Sequence, residues 1–447
     1  MNFKNLRMHF IGIGGISLSA LAQLALNKGA IVTGSDISKS DETEKLENLG
    51  VSVFYCHKKE NVVGSDVVIY SSAIKEDNPE LVEAKQRKLK IMKRAELLAE
   101  ISKEFPVTIA VCGSHGKTTT TAMVANLLIN AKLDPTVHLG GEYGFIGGNV
   151  RIGGGDFFVT EACEYKDNFL YLTPQISVCL NVSPDHLDYF KTFDNVKTSF
   201  GKFINRTRGI VISNSDDNYL VKQKHQLTFS IENKGDVCAV NIKEYERGKF
   251  SFDVIFDGSK RFNVKLGVYG RHNIYNALSA ICVGFALKIN EKIIKCAIEG
   301  FTGVDRRFQE VGLINGAKII VDYAHHPDEI KASIISAKNI AKGRVIAIFQ
   351  PHTFTRTKAF LNEFAESLAL ADKVAVFKIY PAREVPISGV DHNLLAELIR
   401  KNAKDCSAID NYCELAEYIY DNCRKDDVIL IMGAGDYVKI CKMMKFD

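Results

Sequence analysis

The chain has 447 residues, 46% hydrophobic and 25% charged, with a formal net charge of +4; that length calls for two or three domains, and the ordinary composition excludes a disordered or fibrous protein. The charge is spread without blocks of lysine or arginine, which excludes the electrostatic footprint of a nucleic-acid binder, and no apolar run reaches the length of a membrane span. Eleven cysteines, an odd number with no Cys-x-x-Cys pair, argue against a disulfide framework and a zinc site, and with an opening apolar run broken at Gly12, Gly14 and Gly15 they point to the cytoplasm.

Short β-rich apolar runs alternate with helix-period stretches almost throughout, the pattern of α/β domains built on parallel sheets. Three series separate. The first is expected to form a Rossmann-like domain over 1–105, with strands at Met8–Gly12, Ala30–Gly34 and Asp66–Tyr70, ending where Pro106 interrupts the pattern. Gly12-Ile-Gly-Gly-Ile-Ser17 lies between its first strand and the helical stretch Leu18–Leu26, with Asp36 closing the following strand. Ser17 takes the place of a third glycine. The loop therefore predicts a pyrophosphate at a helix N-terminus rather than a nicotinamide cofactor as such, with Gly12, Gly14, Gly15, Ile16, Ser17 and Asp36 as candidates for binding the nucleotide that carries it. A structural turn without ligand is the bland alternative.

The second series, 106–308, opens with the strand Val107–Cys112 and runs into Gly113-Ser-His-Gly-Lys-Thr-Thr-Thr120, which precedes the helical run Ala122–Ile129. This predicts a P-loop-type ATPase α/β domain. The loop amides of Gly113, Ser114, His115, Gly116 and Thr119 would face phosphate, Lys117 would meet the terminal phosphates, and the Thr118 hydroxyl would ligate Mg²⁺. Val111 stands where the standard pattern has its first glycine, so this is a shorter variant of the motif. Glu161 ends a strand and His186 follows the next one; strand carboxyl ends converge on the ligand crevice, which makes Glu161 a candidate magnesium ligand and His186 a second metal ligand or an orienting group. A β insertion is expected around residues 227–268.

The third series, 309–447, has strands at Lys318–Asp322, Arg344–Phe349, Lys373–Phe377 and Asp427–Ile431, and predicts another Rossmann-like domain. Two of its strands run directly into Asp322-Tyr-Ala-His-His-Pro327 and Phe349-Gln-Pro-His-Thr-Phe-Thr-Arg356. Histidine and arginine at strand ends suit carboxylates and phosphates, and Tyr323, His325, His352 and Arg356 are the candidates.

The two glycine loops, Ser71-Ser-Ala-Ile74, Pro184-Asp-His-Leu-Asp188, Gly270-Arg-His-Asn273 with Asn276, Gly303-Val-Asp-Arg-Arg-Phe308, Asp322–Pro327, Tyr380-Pro-Ala382 and Gly433-Ala-Gly-Asp436 together resemble the muramyl ligases of peptidoglycan synthesis, over essentially the whole chain. The resemblance implies that the first domain binds UDP-N-acetylmuramate, with Ser71 among its contacts, that the second binds ATP, and that the third closes over both and holds L-alanine. It places adenine contacts on Asn273 and Asn276, a phosphate-linked arginine at Arg307 and a ribose contact at Asp322. It also implies Mg²⁺ as cofactor, an acyl phosphate as intermediate, a monomer or homodimer, and catalysis by Lys117, Glu161, His186, His325 and Arg356. Cys163 stands where many relatives carry aspartate, Thr353 where many carry arginine, and Ser114 replaces threonine. Thr353 leaves Arg356 to grip the alanine carboxylate. The nearest rival is a ligase that recycles a whole peptide onto the same sugar nucleotide. An NAD-dependent oxidoreductase or a nucleotide-driven switch explains one glycine loop each, and neither explains both.

Overall fold

The computed structural model describes every residue except Ser72, Asn233, Arg383, Ala403, Lys404, Asp436 and Tyr437, together with the side chains of all but Asp188 and Val438 among the rest. The motif positions Ser72 and Asp436 thus lie outside the described residues. The chain folds into two compact units, one of Met1–Lys243, Ser251–Gly267 and Arg271–Val304, the other of Glu244–Phe250, Val268–Gly270 and Asp305–Asp447.

The first unit carries two sheets. Strands β1 (Arg7–Ile11), β2 (Ile31–Ser35), β3 (Ser52–Phe54), β4 (Val67–Tyr70) and β5 (Lys90–Lys93) pair in the order β3-β2-β1-β4-β5, all parallel. The chain leaves β1 and returns on either side of it, so the loop after β1 opens at a topological switch point, the place where a parallel sheet leaves a crevice for ligand.

The second sheet has β6 (Val107–Cys112), β7 (Thr136–Tyr143), β8 (Gly148–Arg151), β9 (Phe157–Glu161), β10 (Ile176–Cys179), β11 (Ile210–Asn214), β12 (Leu227–Ser230), β13 (Val237–Glu246), β14 (Lys249–Phe256) and β15 (Ser259–Lys265). They lie in the order β15-β14-β13-β12-β11-β10-β6-β9-β7-β8. β6 is flanked by β9 and β10, all three parallel and buried along their middles, as fully covered central strands should be. Residues 227–268, expected as an insertion, extend one edge of this sheet, and the tip of the β13–β14 hairpin folds with the second unit. One hydrophobic core joins the two sheets, drawing Phe10, Leu21 and Leu97 together with Phe158, Phe200 and Phe203.

The second unit is built on β16 (Gln309–Ile314), β17 (Ala317–Asp322), β18 (Val345–Gln350), β19 (Lys373–Phe377), β20 (Cys406–Ile409) and β21 (Val428–Gly433), in the order β16-β17-β21-β18-β19-β20. β21 lies between β17 and β18, and the register sets Asp322 opposite Met432 and Gln350 opposite Gly433. The loops that follow β17 and β18 therefore leave the sheet from the same edge. Among the described residues no helix is long and apolar enough to cross a membrane.

Candidate active site

At the first glycine loop, Gly12 adopts φ +79°, a left-handed conformation in which a side chain is strained. The Asp36 carboxylate accepts from the Gly14 amide at 3.0 Å and the Ile37 amide at 2.7 Å and is almost wholly buried, so it braces the loop. Gly14 is needed for space on that inner side: a Cβ there would meet Asp36 Oδ2 and Thr43 Cγ2 at 3.0 Å and Ser40 Oγ at 3.2 Å. The helix Ile16–Asn27 starts directly behind, and its first-turn amides make an anion seat.

Ser17, in that first turn, does not simply face outward. Arg94 donates to its Oγ at 3.0 Å, and the same oxygen lies 2.9 Å from His138 Nε2, while His138 Nδ1 lies 3.0 Å from Thr160 Oγ1. Burial, with the charge of Arg94 adding to it, holds His138 neutral down to about 3. Ser17 Oγ, the His138 ring and Thr160 Oγ1 thus form one hydrogen-bonded chain, whose far end is the Thr160 hydroxyl donating to the Glu161 carbonyl at 3.2 Å. Neither Arg94 nor His138 stands out in the sequence. Each is brought to Ser17 by sheet packing.

The phosphate loop is clasped from the next strand. Ser114 N–H donates to the Asn181 carbonyl at 3.1 Å, His115 N–H to Asn181 Oδ1 at 2.9 Å, and Ser183 N–H to Ser114 Oγ at 2.9 Å. Gly116, at φ +86°, caps the helix Lys117–Asn130, and a Cβ there would come within 2.6 Å of Asn276 Oδ1. Asn276 in turn accepts from Thr120 at 3.1 Å and donates to Asn273 at 2.7 Å. The expected adenine residues are therefore packed directly under the loop. Beside them opens a cavity of about 300 Å³ lined by His115, Gly116, Asn181, Asp216, Tyr275 and Asn276, of a size and polarity suited to a nucleoside.

Lys117 Nζ donates to the Gly113 carbonyl at 2.6 Å and to Glu164 Oε1 at 3.0 Å. Burial is the largest influence and pulls the ammonium down, but Glu164, by charge and hydrogen bond, together with the neighbouring acidic groups holds the lysine above its ordinary value. His186 stands 3.8 Å from Glu164 and 3.8 Å from Asp185, and the three offer ligand atoms within 4.8 Å of one another. Glu164 Oε2 is buried with no hydrogen-bond partner among the described residues. Thr118 and Glu161 meet around Gly140-Gly141: a Cβ on Gly140 would lie 3.0 Å from Glu161 Oε1, and one on Gly141 3.4 Å from Thr118 Cγ2. Sequence reasoning missed Glu164 as a site residue and missed Gly140, whose only signal was a glycine pair inside an apolar strand.

In the second unit, His325 and His352 lie 6.3 Å apart between ring centroids, and His352 stacks on Tyr380 at 5.7 Å. Burial, with Arg356 and His325 adding to it, lowers His352 to about 4, and His325 is lowered chiefly by burial as well. Both rings are neutral at pH 7. Thr353 takes φ +68° and caps the helix Phe354–Ala359, its Oγ1 accepting from the Arg356 amide at 3.4 Å. Arg306 and Arg307 stand 4.9 and 5.3 Å from the Tyr323 ring centroid, and Asp322, half-buried, accepts from Ser333 at 2.6 Å with Arg307 nearby. The cluster gathers cations around neutral imidazoles, an arrangement that takes anions.

Residues 7–106 match the Mur ligase family catalytic domain, 111–284 the Mur ligase middle domain and 306–435 the Mur ligase, glutamate ligase domain. The chain belongs to the Mur ligase family. A relative from Clostridium tetani, named UDP-N-acetylmuramate--L-alanine ligase, is 44% identical over 440 residues, covering 97% of this chain and 96% of that one. The crystal structure of the UDP-N-acetylmuramate-alanine ligase of Thermotoga maritima is 30% identical with a TM-score of 0.83 and covers 98% of each chain. A murein peptide ligase from Psychrobacter arcticus covers the same shares at 24% identity and a TM-score of 0.71, a likeness of fold. As a Mur ligase the protein is an ATP-dependent, amide-bond-forming enzyme of peptidoglycan synthesis.

Proposed function

We propose that this Mur ligase joins L-alanine to UDP-N-acetylmuramate and cleaves ATP to ADP and phosphate. The observation that carries the reading is a phosphate loop whose lysine is poised beside Glu164 and His186, in a chain alike over its whole length to ligases of that name. The sugar nucleotide is assigned to Gly12, Gly14, Gly15, Ile16, Ser17, Asp36 and Ser71. ATP is assigned to Gly113–Thr119, Asn273 and Asn276 in the first unit and to Arg307 and Asp322 in the second, and L-alanine to Tyr323, His325, His352 and Arg356. The enzyme is assigned to the cytoplasm, in keeping with eleven free cysteines.

A carboxylate is a poor electrophile, so the muramoyl carboxylate must be activated before an amine attacks it. One of its oxygens attacks the γ-phosphorus of ATP, the bond from that phosphorus to the bridging oxygen breaks, and ADP leaves. The alanine amine then attacks the acyl-phosphate carbon, the carbon–oxygen bond to phosphate breaks, and phosphate leaves as the amine gives up a proton. Lys117 neutralises charge on the transferring phosphoryl group, and the loop amides hold its oxygens. Arg356 orients alanine by its carboxylate, beside neutral imidazoles that can accept hydrogen bonds.

A magnesium ion, when bound, spreads the charge that builds on the phosphate oxygens during transfer. The donor set suits it: Thr118, Glu161 and His186 are assigned as its ligands, and the Glu164 carboxylate, with one oxygen unpartnered among the described residues, adds a hard donor group near His186. The test is phosphate release with UDP-N-acetylmuramate and ATP against free L-alanine and an L-alanyl peptide in turn. Release with alanine alone is expected, and release only with the peptide would replace this reading by the recycling reaction.

A further inference from the structure

Arg94 is a half-buried cation of the first unit. It opens the helix Arg94–Ser102 directly after β5, and its hydrogen bond goes to a neutral hydroxyl, Ser17 Oγ. Among the described residues no carboxylate forms an ion pair with it. Burial pulls the guanidinium below its ordinary value, and the Glu161 charge pushes back without a bond to it, while the Cys163 thiol beside them stays uncharged because burial raises it. A half-buried charge with no carboxylate bonded to it is costly, so proteins pair such groups or keep them for a charged ligand.

The position narrows what that ligand is. One end of the guanidinium is tied to the first turn of the helix that opens behind the first glycine loop. The same side chain feels Glu161 and Cys163, and so does Lys117, so the two cations share the segment that follows β9. Lys117 answers that segment through Glu164 and Arg94 answers it through no bonded carboxylate. A substrate whose pyrophosphate is seated at the helix Ile16–Asn27 and whose acid group is to meet the γ-phosphate at Lys117 must carry that acid past Arg94.

We propose that Arg94 is the receptor for the carboxylate of the sugar nucleotide, held in place by the Ser17–His138–Thr160 chain; the inference rests on the substrate reading above and names the group in contact with that substrate's reactive acid. The chain matters because it holds the Ser17 hydroxyl in place: Arg94 donates to that oxygen, which pins one N–H and leaves the rest of the fork to the ligand. Gripping one carboxylate oxygen leaves the other free to attack phosphorus. His138 adds no competing charge because it stays neutral.

The test compares binding of UDP-N-acetylmuramate and of UDP-N-acetylglucosamine, which lacks the lactyl carboxylate, to the wild-type protein, Arg94→Gln and Arg94→Lys by calorimetry. Arg94→Gln should weaken the carboxylate-bearing nucleotide by about ten- to a hundredfold, the usual loss for a hydrogen bond to a charged group, and leave the other within about twofold. Arg94→Lys, which keeps the charge and loses the fork, should fall between and carries the test if the glutamine variant does not fold. Equal weakening of both nucleotides, or no weakening of either, overturns the assignment and leaves the substrate reading standing. A wild-type protein that does not bind UDP-N-acetylmuramate overturns both.

Discussion

The Lys117 ammonium sits 3.0 Å from Glu164 Oε1, while the other oxygen of that carboxylate is buried and without a hydrogen-bond partner among the described residues. The same Oε1 lies 3.8 Å from His186, and Glu164, Asp185 and His186 offer ligand atoms within 4.8 Å of one another. If its free oxygen helps to hold magnesium, Glu164→Gln should raise the magnesium concentration for half-maximal phosphate release about tenfold, as expected when a hard anionic ligand becomes neutral. A magnesium titration of the variant at saturating ATP checks this, and a curve that overlays the wild type would remove Glu164 from the metal's surroundings.

Gly140 gives a second handle, because a Cβ there would lie 3.0 and 3.1 Å from the two Glu161 oxygens. Those oxygens are the movable end of a side chain, so the fold should survive Gly140→Val while Glu161 is pushed aside. Displacements of this kind cost about ten- to a hundredfold in turnover. The expected result is a fall in kcat of that order with UDP-N-acetylmuramate binding intact; an unchanged kcat would mean that the placement of Glu161 does not matter.

These side chains show where the sequence stopped being readable. The phosphate loop is a local object, an apolar strand, two glycines and a lysine before a helix, and its chemistry lies within eight consecutive residues. The same holds for the loop at Gly12–Ser17, although Asp36, which the sequence marks as a binding candidate at a strand end, braces the Gly14 amide from inside. Arg94, His138, Gly140 and Glu164 reach the site by sheet order, through strands far apart in the chain that end as neighbours. No spacing rule announces that β9 and β10 flank β6. The three α/β sheets were legible because parallel strands buried on both faces read as apolar runs between helices. The role of residues 227–268 was not, since an edge extension and a separate insertion have the same strand pattern.

Arg356 tests the second unit. It lies close enough to His325 and His352 to oppose their protonation, and Thr353 beside it spends its hydroxyl on the Arg356 amide. Arg356→Ala should raise the KM for L-alanine by about ten- to a hundredfold, from the loss of a charge-assisted contact, with the KM for ATP within about twofold. Steady-state kinetics with each substrate varied in turn separates the two, and equal changes would rule out a specific contact with alanine.

His138 makes a prediction about acid. An ordinary histidine titrates near 6.5, and burial holds this one neutral down to about 3. Above the higher value neither the folded nor the unfolded chain binds the proton, and the contribution to stability is whole. As pH falls through that window the unfolded chain takes up a proton that the folded one refuses, so stability drops. His138→Gln removes this uptake. Its melting temperature should fall less steeply than that of the wild type between about pH 6.5 and 5, where the unfolded histidine is titrating. Parallel curves would show that His138 is not held neutral.

The central claim is that the muramoyl carboxylate is activated by phosphoryl transfer at Lys117 and discharged by alanine. The direct measurement uses UDP-N-acetylmuramate labelled with ¹⁸O in the lactyl carboxylate, turned over with ATP and L-alanine, followed by mass analysis of the products. Transfer through an acyl phosphate leaves one carboxylate oxygen on the departing phosphate, so the account predicts labelled inorganic phosphate, unlabelled ADP and a new amide on the sugar nucleotide. Label found in AMP, or phosphate released without label while the amide forms, would contradict it.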